Sequence, residues 1–210
     1  MPIRNATIST IAAVLVTLLG FSAPAAAAAS AVDLTNPAFA PVTGPTSIPV
    51  GHSDFCKVRR DECSVNVRTI EVMELNQARW DQLVSINNDV NQAVVPVSDQ
   101  NLYHLAEFWT YPDDGYGDCE DIALEKRREL IAGGWEPSTL LMTVVRESNG
   151  DGHAVLMVRT DRGDLVLDNQ YGAVKVWTDT PYQFLKRQSQ ANAGDWVAIA
   201  DDRMMIVAAK

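Results

Sequence analysis

The sequence predicts an α+β fold in which helices come first and pack on one side of an antiparallel sheet that follows them. Apolar residues recur at three-to-four spacing between Val67 and Val94, as in an amphipathic helix. A second helical segment runs from Cys119 to about Ala132 and ends at two consecutive glycines. The rest of the chain contains short β-rich segments separated by glycine-containing turns, a pattern that is typical of consecutive hairpins.

The predicted strands fill the second half of the chain. The turns SNGDG at 148–152 and DRG at 161–163 separate the first three of them. A further short helix is predicted over 101–108, before the turn-rich loop YPDDGYG at 111–117. The six strands are predicted at 140–147, 153–159, 164–168, 174–178, 196–200 and 204–208.

Residues 1–29 have the features of a secretory signal peptide. Arg4 supplies positive charge, residues 11–21 are mostly apolar, and the alanine run at 25–29 offers small residues for cleavage. An uncleaved membrane anchor is the weaker alternative, because the apolar stretch is shorter than the roughly 20 residues that a span needs. We therefore expect a periplasmic protein that is not inserted in a membrane after signal cleavage, although full secretion stays open.

The rest of the chain is expected to form one domain. Residues 30–50 contain four prolines separated by small polar residues, which predicts an extended lead-in or linker. Residues 51–210 are then a single domain, and their composition is that of a globular protein. The net charge of −10 argues against nucleic acid as the main partner, because phosphate binding needs a basic surface.

The three cysteines divide into a pair and a single residue. Cys56 and Cys63 lie close together in FCKVRRDEC, which in an exported protein predicts a disulfide that closes a small loop. A metal site is the poorer alternative, because the segment lacks a histidine pair beside the two thiols. Cys119 is left over, so it is either a buried inert cysteine or a reactive thiol.

The position of Cys119 favours reactivity, but the charges around it do not. Cys119 begins its predicted helix with Asp118 at the N-cap, where unpaired N–H groups stabilise a thiolate and can donate to an oxyanion. Asp118, Glu120 and Asp121 oppose this, because like charge raises the pKa of a thiol. A histidine cation or a bound Ca²⁺ would resolve the conflict. The simpler alternative is an acidic first turn that only favours the helix dipole.

A cysteine nucleophile also needs a base and a group that orients the base. Among the three histidines, His52 lies near the linker and His104 in a short helical segment, whereas His153 opens a strand. Asp168 ends the next strand. The alternatives are that His153 is only structural, that Asp168 is only a turn residue, or that both bind zinc together with Cys119.

Strand register decides whether His153 and Asp168 can meet. Side chains along a strand alternate between the two faces of the sheet. If Arg159 pairs with Asp164, His153 and Asp168 therefore lie on the same face as diagonal neighbours. A two-residue turn at 161–162 keeps this register. A turn at 162–163 would move the two residues too far apart, and a three-residue loop would place them on opposite faces.

Three segments carry a family resemblance: GDCEDIALEKRREL at 117–130, GHAVLMV at 152–158 and LVLDN at 165–169. In these segments the chain resembles the bacterial transglutaminase-like cysteine peptidases, of which the LapG-type periplasmic proteases are best described. The resemblance extends from about residue 55 to 200. It implies a transglutaminase-like, papain-like fold with Cys119 as nucleophile, His153 as general base and Asp168 as the residue that orients His153.

The resemblance also implies a metal, partners and a biological role. Asp118, Glu120 and Asp121 become candidate calcium ligands, and no organic cofactor is expected. The implied substrate is a large surface adhesin, whose cleavage would affect biofilm formation. The implied regulator is a cyclic-di-GMP-responsive receptor in the inner membrane.

The function that we predict is an exported cysteine endopeptidase. One alternative is a transglutaminase-type acyl transferase that uses the same three residues and passes the acyl group to an amine. The other is a non-catalytic binding module with the same fold. Amine incorporation would identify the first alternative, and failure of a thiol probe to label Cys119 would favour the second.

Overall fold

The computed structural model describes residues 38–203. The predicted signal peptide at 1–29, the first part of the lead-in at 30–37 and the predicted strand at 204–208 lie outside these residues. The helices are α1 (Val50–Val58), α2 (Gln77–Ala93), α3 (Asp99–Leu102) and α4 (Cys119–Ala132). The strands are β1 (Val42–Thr46), β2 (Val95–Pro96), β3 (Tyr116–Gly117), β4 (Leu140–Arg146), β5 (Gly152–Thr160), β6 (Gly163–Leu167), β7 (Lys175–Val176), β8 (Gln183–Gln188) and β9 (Trp196–Ile199).

Seven of the strands form one antiparallel sheet with the order β1-β9-β8-β4-β5-β6-β7. The strands β2 and β3 form a separate parallel pair beside the start of α4. The helix α4 packs against β4 and β5, and α2 packs on α4. This arrangement confirms the predicted α+β class.

The central strands are buried on both faces. Every residue of β6 is buried, and β4 and β5 are nearly as apolar and enclosed. Fully buried side chains of α4, such as Ile122 and Leu130, cover one face. Helix α4 packs against β5, and Ala154 near the start of β5 lies close to Cys119 in the first turn of the helix.

The hairpin between β5 and β6 has the register that brings the predicted base and its partner together. Arg159 pairs with Asp164 and Thr160 with Gly163, so the turn consists of Asp161 and Arg162. The backbone N–H of Arg162 donates to the Thr160 hydroxyl at 3.1 Å, which helps to close the turn.

The helix predicted over residues 67–94 begins later than its apolar pattern indicates. The Asn76 side chain accepts a hydrogen bond from the backbone N–H of Arg79 and caps α2, so the helix starts at Gln77. Met73 lies before the cap and pairs instead with Thr160 in an isolated parallel bridge. The apolar residues before residue 76 therefore pack from an extended segment.

Three other predictions differ in detail from the structure. The short helix predicted over 101–108 is α3, which ends at Leu102. Strand β8 was not predicted, because its sequence QFLKRQ is mostly polar, yet Phe184, Arg187 and Gln188 are buried. Residues 42–46 of the predicted lead-in are extended, but they form the edge strand β1 against β9. No helix within residues 38–203 is long and apolar enough to cross a membrane.

Candidate active site

The thiol of Cys119 lies where the first turn of α4 meets the start of β5. Asp118 holds the N-cap position in an extended conformation, but its side chain makes no capping hydrogen bond. The backbone N–H of Ala154 lies near the Cys119 thiol and acts to lower its pKa. Because Ala154 follows His153 directly in β5, the thiol lies next to the strand that carries the predicted base.

His153 and Asp168 are in direct contact. The Nε2–H of His153 donates to Oδ1 of Asp168 at 2.9 Å, and both side chains are buried. This contact uses Nε2, so Nδ1 is the ring nitrogen left to exchange a proton with a substrate or a thiol. The structure thus brings together the two residues that the register argument placed as diagonal neighbours.

Asp168 is held by several donors. Tyr182 donates its hydroxyl hydrogen to Oδ2 at 2.5 Å, and the backbone N–H of Gln170 donates to Oδ1 at 3.0 Å. The Asn91 side chain of α2 donates to the backbone carbonyl of Asp168 at 2.9 Å. Burial favours the neutral acid, but hydrogen bonds from His153, Tyr182 and Gln170 outweigh it and lower the pKa of Asp168. Asp168 is therefore an ionised acceptor that faces His153.

The carboxylates around the thiol oppose its ionisation, as the sequence indicated. The thiol donates a hydrogen bond to Oε2 of Glu120 at 3.1 Å. Burial is the largest cause that raises the pKa of Cys119 well above its usual value, and the charge of Glu120 is the next. Burial and the charge of Asp118 in turn raise the pKa of Glu120 to about 9. These neighbours therefore favour the protonated form of the Cys119 thiol.

A second acidic group adjoins the thiol, and the sequence motif identified only part of it. Asp99, at the start of α3, lies with Asp118 and Asp121 so that one oxygen of each falls within 4.8 Å of the others. Glu120, the third predicted ligand, instead has a carboxylate oxygen within 4.8 Å of ligand atoms of Asp118 and Cys119. No motif indicated Asp99, because it comes from a polar segment well before the GDCED block.

Each carboxylate of this three-aspartate cluster (Asp99, Asp118 and Asp121) has one oxygen held by a backbone N–H and one that is unused. Thr110 donates to Oδ1 of Asp121 at 2.8 Å, Asp99 donates through its own N–H to Oδ2 of Asp118 at 3.2 Å, and Phe108 donates to Oδ2 of Asp99. The second oxygen of each carboxylate is buried and has no hydrogen-bond partner.

Those three unused oxygens suit a hard cation. Burial is the main cause that raises the pKa of Asp99 to about 6 and of Asp121 to about 8, and their mutual repulsion with Asp118 adds to it. A divalent ion would relieve this repulsion and supply the missing partners. The residues present therefore fit Ca²⁺. The structure adds Asp99 to the candidate ligands, whereas the sequence had indicated Glu120 together with Asp118 and Asp121.

The disulfide expected between Cys56 and Cys63 is formed. His52 lies beside it, with Nε2 at 3.7 Å from the sulfur of Cys56 and 3.9 Å from that of Cys63. Because the two sulfurs are bonded to each other, neither offers the thiolate that a metal would need. This cluster therefore stabilises the fold and is not a metal site.

Comparison with known proteins identifies the family. The model of the bacterial transglutaminase-like cysteine proteinases matches residues 42–204. The chain belongs to this family. The match includes the Cys119, His153 and Asp168 positions, and it confirms the predicted family and its cysteine-peptidase class. No curated protein matches the chain at a significant level.

Three solved structures of LapG from Legionella pneumophila are similar to the chain. The EGTA-treated form has a TM-score of 0.50 at 24% identity over 63% of this chain and 73% of LapG. The calcium-bound form has a TM-score of 0.47 at 23% identity and covers 54% of this chain. A further LapG structure has a TM-score of 0.49 at 27% identity over 57% of this chain and 68% of LapG.

Because these matches have low sequence identity and cover only part of each chain, they support a conclusion about the fold alone. The chain covers 66% of the calcium-bound LapG chain, which is slightly less than two thirds of its length. The likeness to EGTA-treated LapG supports the transglutaminase-like fold that the sequence predicts.

Proposed function

We propose that this protein is a cysteine endopeptidase in which Cys119 is the nucleophile, His153 the general base and Asp168 the residue that orients the base. The observation that supports this most strongly is the His153–Asp168 hydrogen bond, because the residue after His153, Ala154, lies near the Cys119 thiol. Further support is that the chain belongs to a cysteine-proteinase family, since cysteine catalysis needs a nucleophile, a base and a group that orients the base.

The reaction follows from these contacts. The sulfur of Cys119 attacks the peptide carbonyl carbon while Nδ1 of His153 takes the thiol proton, and the negative charge moves to the carbonyl oxygen. The resulting imidazolium is stabilised by Asp168 through the Nε2–H bond. Collapse of the tetrahedral intermediate breaks the C–N bond, and His153 gives its proton to the leaving amine. Water, deprotonated by His153, then cleaves the thioester, releases the acid and restores the thiol.

The backbone of α4 supplies one group for the oxyanion. Cys119 is the first residue of the helix, so its own N–H has no partner within the helix and is free to donate to the developing negative charge.

We further propose that Asp99, Asp118 and Asp121 hold a calcium ion. Support comes from their three unused buried oxygens, and LapG from Legionella pneumophila has been solved in calcium-bound and EGTA-treated forms. Bound calcium would supply positive charge beside the thiol and offset the carboxylates that keep it protonated. Glu120 contacts the thiol directly, so its place in the ligand set is the least supported of those predicted.

The biological setting is carried over from the family resemblance. We propose an exported, periplasmic enzyme that cleaves a large surface adhesin and is regulated by a cyclic-di-GMP-responsive membrane receptor. The signal-peptide features of residues 1–29 support export. The disulfide also supports it, because disulfides persist in oxidising compartments.

Labelling with a chloroacetamide probe at pH 7 tests the catalytic assignment. We expect Cys119→Ala to abolish labelling and His153→Ala to slow it by about tenfold or more, because the base no longer activates the thiol. The exposed His104→Ala serves as the matched control and should label at the wild-type rate. Labelling that is slow and indifferent to His153 would favour the non-catalytic binding module, and primary-amine incorporation into a protein substrate would favour the acyl transferase.

Calcium binding is tested by thermal unfolding with calcium and with EGTA. We expect calcium to raise the melting temperature of the wild type. Asp99→Asn should remove most of that rise, because a neutral amide replaces one of the three carboxylates whose unused oxygens would hold the ion. The exposed Asp54→Asn should keep the full rise. If neither calcium nor EGTA changes melting or labelling, the calcium proposal is wrong.

A further inference from the structure

We propose that Tyr182 is a positioning residue for the reaction, which acts by fixing the carboxylate of Asp168 against His153. The inference rests on the proposed function, because it concerns the same base and its partner. Tyr182 lies between β7 and β8 in the chain and had no place in any motif of the sequence.

The hydroxyl of Tyr182 is aimed at the oxygen of Asp168 that His153 does not use. It donates to Oδ2 at 2.5 Å, while His153 Nε2–H donates to Oδ1 at 2.9 Å. The two donors therefore contact opposite oxygens of one carboxylate. A carboxylate that is bound at both oxygens cannot rotate without losing a hydrogen bond, so Tyr182 holds Oδ1 in the direction of His153.

Burial makes this hydrogen bond necessary. Asp168 and Tyr182 are each only 3% exposed, so water does not replace the hydroxyl if it is removed. The Tyr182 ring also contacts the imidazole directly, with ring centres 5.3 Å apart. The same side chain thus limits the motion of both partners of the pair.

The other charged groups near Asp168 do not duplicate this role. His153 faces it from β5, and Lys126 interacts with it electrostatically from α4. The Gln170 N–H donates to Oδ1, the oxygen that His153 already uses. Among the described residues, Tyr182 is the side chain that donates to Oδ2.

Replacement of Tyr182 by Phe keeps the ring and removes only the hydroxyl. In the full chain, we expect the maximal rate of Cys119 alkylation by chloroacetamide to fall about tenfold, the scale for loss of one hydrogen bond to a charged group. The probe concentration at half-maximal rate should stay the same, because Tyr182 contacts Asp168 and not the probe. Tyr171→Phe is the matched control: its ring lies 6.4 Å from that of Tyr182, and it should react at the wild-type rate.

A double-mutant cycle with Asp168→Ala separates positioning from a general structural effect. If Tyr182 acts through Asp168, Tyr182→Phe should change the alkylation rate by less than about twofold once Asp168 is Ala. Rates are expressed per folded molecule, measured by circular dichroism, so that a loss of stability does not count as a loss of function.

Two results would overturn the inference alone: a wild-type rate for Tyr182→Phe, or the same tenfold loss in both backgrounds. A wild-type chain whose labelling does not depend on His153 would overturn the proposed function, and the role of Tyr182 with it.

Discussion

At the scale of single residues, the least expected side chain is Lys126. It is only 1% exposed and lies on α4 two turns after Cys119, where Asp168 interacts with its charge. Burial lowers the pKa of Lys126 to about 7, although the charge of Asp168 opposes this. In the unfolded chain the lysine keeps its usual pKa near 10.5, so folding at neutral pH must desolvate a group that prefers to be charged.

We therefore expect Lys126→Met to stabilise the protein and to lower its activity. The gain in unfolding free energy should be on the order of 1–4 kcal/mol at pH 7. It should shrink as the pH rises from 7 towards 10.5, because the folded lysine is then neutral and the cost of deprotonating the unfolded lysine falls. Alkylation of Cys119 should slow severalfold, because Asp168 loses a neighbouring positive charge. Urea unfolding at pH 7 and 9.5 measures the first effect. The exposed Lys57→Met should change neither quantity, and a loss of stability in Lys126→Met at pH 7 would contradict the prediction.

The residues of the site differ in how far the sequence could predict them. Cys119, His153 and Asp168 each have a local signal: a helix start, a strand start after a glycine turn, and a strand end. Asp99 and Tyr182 have none, because only tertiary packing brings them to Asp118 and Asp168. Local sequence signals therefore indicate the three residues that we propose for catalysis, but not the residues that contact them in the folded protein.

At the scale of elements, the site depends on how closely β3 approaches the first turn of α4. Gly117 precedes the helix, and a Cβ atom added there would lie 2.7 Å from Cβ and 2.9 Å from Oδ2 of Asp121. Oδ2 is one of the three unused oxygens of the three-aspartate cluster. The absence of a side chain at residue 117 thus permits Asp121 to point into the cluster.

Gly117→Ala should displace Asp121 and weaken calcium binding. We expect the calcium-induced rise in melting temperature to fall by at least half and Cys119 labelling in calcium to slow about tenfold, because a small misplacement of such groups is costly. Gly152→Ala adds the same methyl group at a position with no atom within 4 Å and should behave as wild type. A Gly117→Ala protein with an unchanged calcium response would show that Asp121 is not a ligand.

The elements that sequence reasoning misjudged share a physical cause. Strand β8 is polar, but its buried Gln188 accepts from the backbone of Met142 at 3.0 Å and donates to Ala193 at 2.8 Å. A polar side chain that is satisfied inside a sheet gives no hydrophobic alternation. Helix α2 begins late because one capping residue, Asn76, overrides the apolar spacing before it.

At the scale of the whole molecule, the N-terminal part of the described chain is tied to the rest of the sheet. Strand β1 pairs with β9, and Pro45 is tolerated because β1 is an edge strand. Next to it, α1 carries His52, whose Nδ1 accepts from Trp196 Nε1–H of β9 at 3.1 Å. The side-chain nitrogen of Gln188 in β8 lies 3.0 Å from Nε2, the ring nitrogen that carries the hydrogen when Nδ1 accepts. The imidazole thus bonds α1 to β9 and packs against β8.

Acid should weaken this junction, because His52 cannot accept a proton there without losing its contacts. Burial, followed by the nearby charge of Arg127, lowers the pKa of His52 from 6.5 to about 4. As the pH falls from 6.5 to 4, the unfolded chain binds a proton that the folded chain does not bind. Stability that is present above pH 6.5 is therefore lost, by up to about 3 kcal/mol.

We expect His52→Gln to be less stable at pH 7 but to lose less stability on acidification, as measured by urea unfolding at pH 7, 5.5 and 4.5. His104→Gln changes an exposed histidine and should keep the wild-type pH dependence. Equal slopes for His52→Gln and the wild type would mean that other groups, and not this junction, set the acid sensitivity of the fold.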